Sequence, residues 1–280
     1  MRIAHLSDIH FGCEHEAAVE GARAWIETER PDLVVITGDV TRAGAPEEFA
    51  AARAWTDSLP HAPLMTPGNH DVPYYSLAGR IFRPWNRYER TFGPARDHNL
   101  TAPGLRLAAV NTARGAQPRA NWSKGQISPG QIRRTAAAIA AAEPSALRIV
   151  ACHHPLVEMT GGPMTGKVWN GRAAAQAFAQ AGADLVMTGH IHAPFALALP
   201  FADQRTYAVG ASTLSVRERG VPAGFNCIEV EEKAIAVTAM AWMGSHYEPW
   251  RSWRVDRRQG APRPLTMCMT SDTTNSTTKT

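Results

Sequence analysis

The sequence predicts an α/β fold, and three features carry that prediction. Short apolar runs alternate with segments of helical period from residue 2 to residue 188. Some runs are apolar without interruption, as in DLVVIT (32–37), the pattern of a strand covered on both faces. Beyond residue 194 strands follow one another without helices, so an α/β front should carry an all-strand back with no linker between them.

Each element has a local reason. IAHLS (3–7) reads as a first strand running straight into Asp8 and His10. Val19, Ala22, Trp25 and Ile26 fall at helical spacing within 14–29. Pro46, Glu47 and Glu48 open a helix to about Leu59, because proline suits the first helical position and acids suit the positive end. PLMT (63–66) supplies a third strand. Residues 73–98 are aromatic and Arg-rich without period and read as an insertion or lid. LRLAAVN (105–111) is a strand. Ser128 and Gln131 have the spacing of a capping box ahead of an Ala-rich helix that Pro144 closes. LRIVA (147–151) and DLVMT (184–188) are strands flanking a helix over 171–181 that Gly182 ends. Further strands are expected at 195–199, 205–210, 225–230 and 234–242.

Composition narrows the class. With 280 residues, 44% hydrophobic and 19% charged, the chain is an ordinary globular protein, neither disordered throughout nor a fibrous repeat. No stretch approaches the roughly 20 apolar residues of a membrane span, and MRIAHLSDIHFG lacks the apolar core of a secretory signal. Cys13, Cys152, Cys227 and Cys268 have no CxxC spacing, so a reducing cytoplasm is the expected location. The net charge of +4 is mild and concentrated. Between Trp250 and Arg263, five arginines (251, 254, 257, 258, 263) stand against Asp256, and the rest of the chain balances to zero. Residues 250–280 are therefore expected to be a basic extension with a disordered Thr/Ser-rich tail, following a domain over 1–249.

The chemistry sits where strands end. Asp8-x-His10 follows the first strand, Gly38-Asp39 the second and Gly68-Asn69-His70-Asp71 the third. His153-His154-Pro155 and Gly189-His190-x-His192 follow the strands at 147–151 and 184–188. Loops at the carboxyl ends of adjacent strands converge on one sheet edge, and Gly38, Gly68 and Gly189 should let the backbone turn there. Imidazole and carboxylate without clustered thiolate suit Mn, Fe, Zn or Co. Asp8, His10, Asp39, Asn69, His153, His190 and His192 make seven candidate ligands, more than one catalytic ion takes, so two ions sharing a ligand are expected. A carboxylate bridges readily, which selects Asp39. His70 is a candidate proton donor, and the neighbouring Asp71 is expected to raise its pKa.

The order D-x-H, G-D, G-N-H-D, H-x-P, G-H-x-H, spanning residues 8 to 192, resembles the calcineurin-like metallophosphoesterases. Within that family the spacing is most similar to bacterial cyclic-nucleotide and glycerophosphodiester phosphodiesterases. The resemblance implies a four-layer α/β/β/α sandwich holding two divalent metal ions, with a metal-bridging hydroxide attacking phosphorus. Carried over, Asp8, His10, Asp39 and His192 would bind one ion, and Asp39, Asn69, His153 and His190 the other. His70 would stabilise the transition state or protonate the leaving alkoxide. The implied substrate is a small phosphodiester such as a cyclic nucleotide or glycerophosphodiester. Alternatives are a phosphomonoesterase, nucleotide pyrophosphatase or nuclease of the same fold, or a non-catalytic scaffold, which the filled ligand positions argue against. Nucleic acid is not an expected partner, and a homodimer is left open.

Other features receive structural readings or stay open. His154 is an alternative to His153. Gly161–Lys167 imitates a Walker A loop but has Val168 where Ser or Thr should stand, so it reads as a loop able to bring Lys167 or Asn170 toward substrate, or as plain surface. Tyr74, Tyr75, Phe82, Trp85 and Tyr88 read as packing of the insertion in preference to a base-stacking platform. Cys152 reads as an inert buried thiol.

Overall fold

The computed structural model describes residues 1–158, 164 and 168–258. The Walker-like stretch with Lys167, Arg263, Cys268 and the Thr/Ser-rich tail lie outside them.

The elements run β1 (Arg2–Leu6), α1 (Glu16–Glu29), β2 (Leu33–Thr37), α2 (Pro46–Asp57), β3 (Leu64–Thr66), α3 (Leu77–Phe82), α4 (Asn86–Phe92), β4 (His98–Ala102), β5 (Leu105–Val110), α5 (Pro129–Ala140), β6 (Leu147–Cys152), α6 (Gly171–Gln180) and β7 (Leu185–Thr188). Five strands complete the chain: β8 (Phe195–Ala198), β9 (Tyr207–Gly210), β10 (Gly224–Val230), β11 (Ala234–Trp242) and β12 (Tyr247–Asp256). They form two six-stranded sheets, ordered β12-β11-β10-β1-β2-β3 and β4-β5-β6-β7-β9-β8.

The uninterrupted apolar runs follow from layering. In β1 and β2, Ile3 and Val35 face the core between the sheets, while Ala4, Leu6, Val34 and Ile36 face α1 and α2. In β5 and β6, Leu107, Ala109, Ile149 and Ala151 turn inward, and Ala108, Val110, Val150 and Cys152 turn toward α5 and α6. With period-2 alternation and both faces covered, most positions of such a strand are apolar, and the exceptions His5, Thr37 and Arg148 are buried with hydrogen-bond partners. The result is helices, sheet, sheet, helices: the four-layer α/β/β/α sandwich.

Local signals hold where they were strong. Ser128 Oγ accepts from Gln131 N at 3.2 Å while Gln131 Oε1 accepts from Ser128 N at 3.0 Å, a reciprocal capping box on α5. The all-strand back is not a separate unit. β9 joins β7 in parallel and β8 pairs with β9, whereas β10 joins β1 antiparallel and β11 and β12 follow it. Both sheets are thereby widened.

Two expectations are corrected. The insertion at 73–98 holds α3 and α4, and its end runs into β4, an exposed antiparallel edge strand whose HNLTA sequence carries no apolar alternation. The boundary at 249/250 falls inside β12, because Tyr247–Asp256 pairs with β11 from Trp242↔Tyr247 to Ala234↔Asp256. Its arginines are those of a sheet edge, where charge discourages strand-to-strand association. Arg254 pairs with Glu231, and Arg258, just beyond the strand, pairs with Asp203.

Candidate metal centre

The parallel strands β1, β2, β3, β6 and β7 end on one edge, and the loops after them bring all seven expected ligands together. Asp8, His10, Asp39, Asn69, His153 and His192 are buried there, with His190 at the rim. The backbone is forced to make the site. Asp8, His10, Asp39, His190 and His192 all have positive φ, between 50° and 70°. Each such residue costs energy, of order 1–3 kcal/mol, and persists only where surrounding structure imposes it.

The glycines act differently from one another. Gly38 turns the chain with φ +87°. Gly68 and Gly189 have ordinary φ and are required for room. A Cβ on Gly68 would lie 2.1 Å from Asp39 Oδ1, and one on Gly189 1.7 Å from Ser7 Oγ.

The hydrogen bonds fix which imidazole atom faces inward. His10 Nδ1, His153 Nδ1 and His192 Nδ1 lie 3.3, 2.7 and 2.9 Å from the carbonyl oxygens of Thr41, Thr37 and Arg217. A carbonyl only accepts, so each Nδ1 carries a hydrogen and each Nε2 is the atom turned to the centre, where loss of its proton would free a lone pair for metal ligation. There His153 Nε2 sits 3.2 Å from both Asp39 Oδ2 and Asn69 Oδ1. His192 Nε2 sits 3.2 Å from Asp8 Oδ1 and 3.3 Å from His10 Nε2, and His190 Nδ1 lies 3.3 Å from His153 Nε2. Asp8 Oδ2 accepts from His190 N, whereas its buried Oδ1 faces the His192 ring and, among the described residues, has no hydrogen-bond partner of good geometry. An orphaned buried carboxylate oxygen facing imidazole nitrogens fits a divalent cation, and the N/O donor set suits Mn, Fe, Zn or Co.

Without metal, electrostatics binds the pairs instead. Burial opposes ionisation of Asp39, yet His153, His70 and His10 outweigh it and hold the carboxyl well below its ordinary range. Burial likewise opposes a charge on His153, but Asp39 pushes the imidazole up to about 9. Burial brings His10 and His190 down to about 4. A metal ion would displace the protons these groups hold.

Several neighbours differ from expectation. Asp71 does not touch the His70 ring. Its carboxylate accepts from Thr41 N, Thr41 Oγ1 and Gly68 N and so braces the turns carrying Asp39 and Asn69. Burial pushes Asp71 up to about 6 against those hydrogen bonds. His70 instead donates Nδ1–H to Arg42 O at 2.6 Å and its backbone N–H to Asp39 Oδ1, leaving Nε2 toward the cleft. His154 has its nitrogens near those of His153 and His190, but both are spent: Nε2–H on Ser123 O at 2.7 Å and Nδ1 on Thr112 Oγ1 at 2.9 Å. It buttresses the centre and His153 faces it. Asn170 donates to Ile127 O and does not reach the site. Cys152 is buried with its thiol pushed up to about 12 by burial. Tyr88 packs on Phe49, Phe82 is 80% exposed, and only Tyr74 and Tyr75 of the aromatic cluster reach the cleft.

Sequence reasoning missed Arg42 and Arg217, which line that cleft of 560 Å³ with His70, Tyr74, Tyr75 and Cys13. Arg42 follows Asp39 by three residues, a signal that could have been used; Arg217 stands in no motif.

Fold and site together define a two-sheet α/β protein with a buried carboxylate–imidazole cluster that could hold metal. The chain belongs to the calcineurin-like phosphoesterase family, whose model matches residues 1–194. Over 82 residues it is 37% identical to the glycerophosphodiester phosphodiesterase GpdQ of Enterobacter lignolyticus, covering 25% of this chain and 30% of that protein. It is 29% identical over 82 residues to a protein named as a probable cyclic nucleotide phosphodiesterase from Synechococcus, covering 26% and 32%. The matches thus span about a third of those relatives' length. In structure it is similar to the purple acid phosphatase PPD1 of yellow lupin (Lupinus luteus), with TM-score 0.62 and 13% identity over 92% of this chain and 54% of that one. It also resembles TT1561 of Thermus thermophilus, with TM-score 0.53 and 11% identity over 81% and 93%. Among the described residues no helix is long and apolar enough to cross a membrane.

Proposed function

We propose that this chain is a metal-dependent phosphoester hydrolase that cleaves small phosphodiesters at a two-ion centre. The observation that carries the reading is the position of Asp39. Its Oδ2 lies 3.2 Å from His153 Nε2 and 3.9 Å from His10 Nε2, between the two halves of the ligand set. Asp8, His10, Asp39 and His192 would hold one ion, and Asp39, Asn69, His153 and His190 the other. Two bound divalent ions would supply a nucleophile from water near neutral pH and would neutralise charge on the phosphoryl oxygens.

The chain's own residues do the rest. The backbone carbonyls of Thr41, Thr37 and Arg217 fix the imidazole tautomers. Asp71 holds the Gly68 turn and thereby Asn69. His70 presents Nε2 to the cleft, where it can meet a leaving-group oxygen, and its N–H on Asp39 Oδ1 ties that ring's position to the metal ligand. The diester preference is supported by the two curated relatives, both of which carry phosphodiesterase names.

The test is hydrolysis of bis-p-nitrophenyl phosphate with Mn²⁺, alongside metal analysis of the isolated protein. About two ions per chain and activity lost on Asp39→Ala are expected, with His70→Ala lowering kcat while metal content is retained. A metal-loaded protein that hydrolyses no phosphoester overturns the reading. A panel of monoester, diester, pyrophosphate and single-stranded DNA separates the substrate classes.

A further inference from the structure

The cleft beside the metal centre holds more positive charge than a simple diester needs. Two divalent ions against the Asp8 and Asp39 carboxylates and one bridging hydroxide would leave roughly +1, enough to balance the single negative charge of a phosphodiester. Yet the cleft wall adds two guanidinium groups, Arg42 and Arg217, both exposed, and among the described residues no carboxylate lines it.

These cations are not spent on the protein. Among the described residues the Arg42 side chain has no hydrogen-bond or ion-pair partner. The Arg217 guanidinium has only the ring of His70, its Nη1 lying 3.5 Å from Nε2. The acids near the mouth are committed elsewhere. Glu14 Oε2 accepts from Gly12 N, Glu48 Oε2 from Ala43 N and Ala45 N, and Glu218 Oε1 from Ala223 N. Both arginines also touch the site through their main chains: Arg42 O receives His70 Nδ1–H, and Arg217 O receives His192 Nδ1–H. Their side chains therefore start from backbone the site itself holds in place. A guanidinium's fork of N–H donors matches phosphate and carboxylate oxygens in pairs.

We propose that this cleft selects phosphodiesters bearing a second anionic group, phosphate or carboxylate, and that Arg42 and Arg217 receive that group while the scissile phosphoryl sits at the metal centre. The inference rests on the phosphoesterase reading and narrows its substrate class. Tyr74 and Tyr75 wall the same cleft and leave room for the organic part of such a substrate.

The kinetic test compares three p-nitrophenyl diesters on the Mn²⁺-loaded protein: bis-p-nitrophenyl phosphate, p-nitrophenyl phosphorylcholine and thymidine 3′-phosphate 5′-(p-nitrophenyl phosphate). The first has no second charge, the second adds a cation and the third adds a phosphate. The ratio of kcat/KM for the thymidine 3′-phosphate diester to that for the choline ester should fall by roughly tenfold or more in Arg217→Ala and Arg42→Ala, the loss of one or two charge-assisted hydrogen bonds. Arg217→Lys should restore part of the ratio. A diester carrying a carboxylate in place of the second phosphate distinguishes the two anion types. A ratio that stays constant while all rates fall together assigns these residues to positioning His70 and His192 and overturns the proposal.

A binding arm separates this failure from failure of the phosphoesterase reading. By calorimetry on the isolated protein, methylenediphosphonate should bind at least tenfold more tightly than methylphosphonate. Arg217→Ala should remove most of that difference. Equal affinities in the wild type, or a difference that Arg217→Ala leaves intact, refute the second-anion site whatever the hydrolysis assays show. Absence of hydrolysis on all three diesters with the binding difference present refutes the hydrolase reading alone.

Discussion

Replacing Gly68 by alanine should damage the metal centre without touching a ligand. Gly68 has an ordinary φ, so alanine pays no backbone penalty there and the whole effect comes from contact. An added Cβ would stand 2.1 Å from Asp39 Oδ1 and 2.3 Å from Asp39 N, where real Cβ atoms essentially never come within 3.0 Å. The carboxylate and the backbone beneath it must retreat by about 1 Å. Neither is the free end of a flexible side chain, since Asp39 Oδ1 accepts from His70 N at 2.7 Å. Overpacking of this kind costs about 1–3 kcal/mol of stability, and a 1 Å displacement of a reacting group costs about 100-fold in rate. In a domain of this size 1–3 kcal/mol corresponds to a fall in Tm of about 2–12 °C. The assay combines kcat/KM on bis-p-nitrophenyl phosphate, metal content by mass spectrometry and thermal melting. Gly130→Ala, in the first turn of α5, is the matched control. Its Cβ would meet the tip of Arg134 at 3.2 Å and Ser128 Oγ at an ordinary 3.9 Å, and helix propensity favours alanine by up to about 1 kcal/mol. A Gly68→Ala protein with wild-type metal content and kcat/KM would refute the contact argument and the placement of Asp39 against this turn.

Three further outcomes are expected. His154→Ala should keep full metal content while Tm falls, because the Thr112 O–H loses its acceptor and the Ser123 carbonyl its donor, at about 1–3 kcal/mol; loss of metal equal to that in His153→Ala would make His154 a ligand. Asp71→Asn keeps one acceptor oxygen but turns its NH₂ either toward Gly68 N or toward Thr41 N, donor against donor, so stability should drop by about 1–3 kcal/mol and activity with it, measured by urea melts and kcat; an unchanged midpoint would contradict the brace. His5 is fully buried between Thr37 and Asn226, and burial lowers it to about 3 from an ordinary 6.5. It stays neutral in the folded chain, so its stabilising contribution is complete above pH 6.5 and is lost as pH falls toward 3, at about 1.4 kcal/mol per pH unit. His5→Asn should flatten the stability profile between pH 6.5 and 5 by about that slope; an identical slope in both proteins would show that His5 titrates freely.

The site was legible because ligation demands particular atoms at fixed places. Asp and His after apolar runs cannot be exchanged for other polar residues, so the motifs survive in the sequence as they stand in the fold. Asn69 and His190 were found in the same way. Arg217 was not, since nothing local marks an arginine in SVRERG as facing a cleft formed with a loop 147 residues earlier. The Asp71–His70 pairing failed for a related reason. Adjacent residues diverge when one carboxylate finds three donors on another turn. The choice of His153 over His154 rested on His-x-Pro spacing, and the hydrogen bonds on both nitrogens of His154 gave it a physical basis.

The alternation of apolar runs and helices determined the layers, because a strand covered on both faces has few polar positions to show. The same logic hid the edges. β4 and β12 are half-solvated, their residues are polar or charged, and only pairing with β5 and β11 makes them strands. The sequence by itself thus marked the candidate ligands and the order in which strands deliver them to one edge. Tertiary structure decided which imidazole nitrogen faces inward, why Gly68 admits no side chain, and that two arginines share a cleft. Those are matters of distance between segments far apart in the chain, and distance is not written along it.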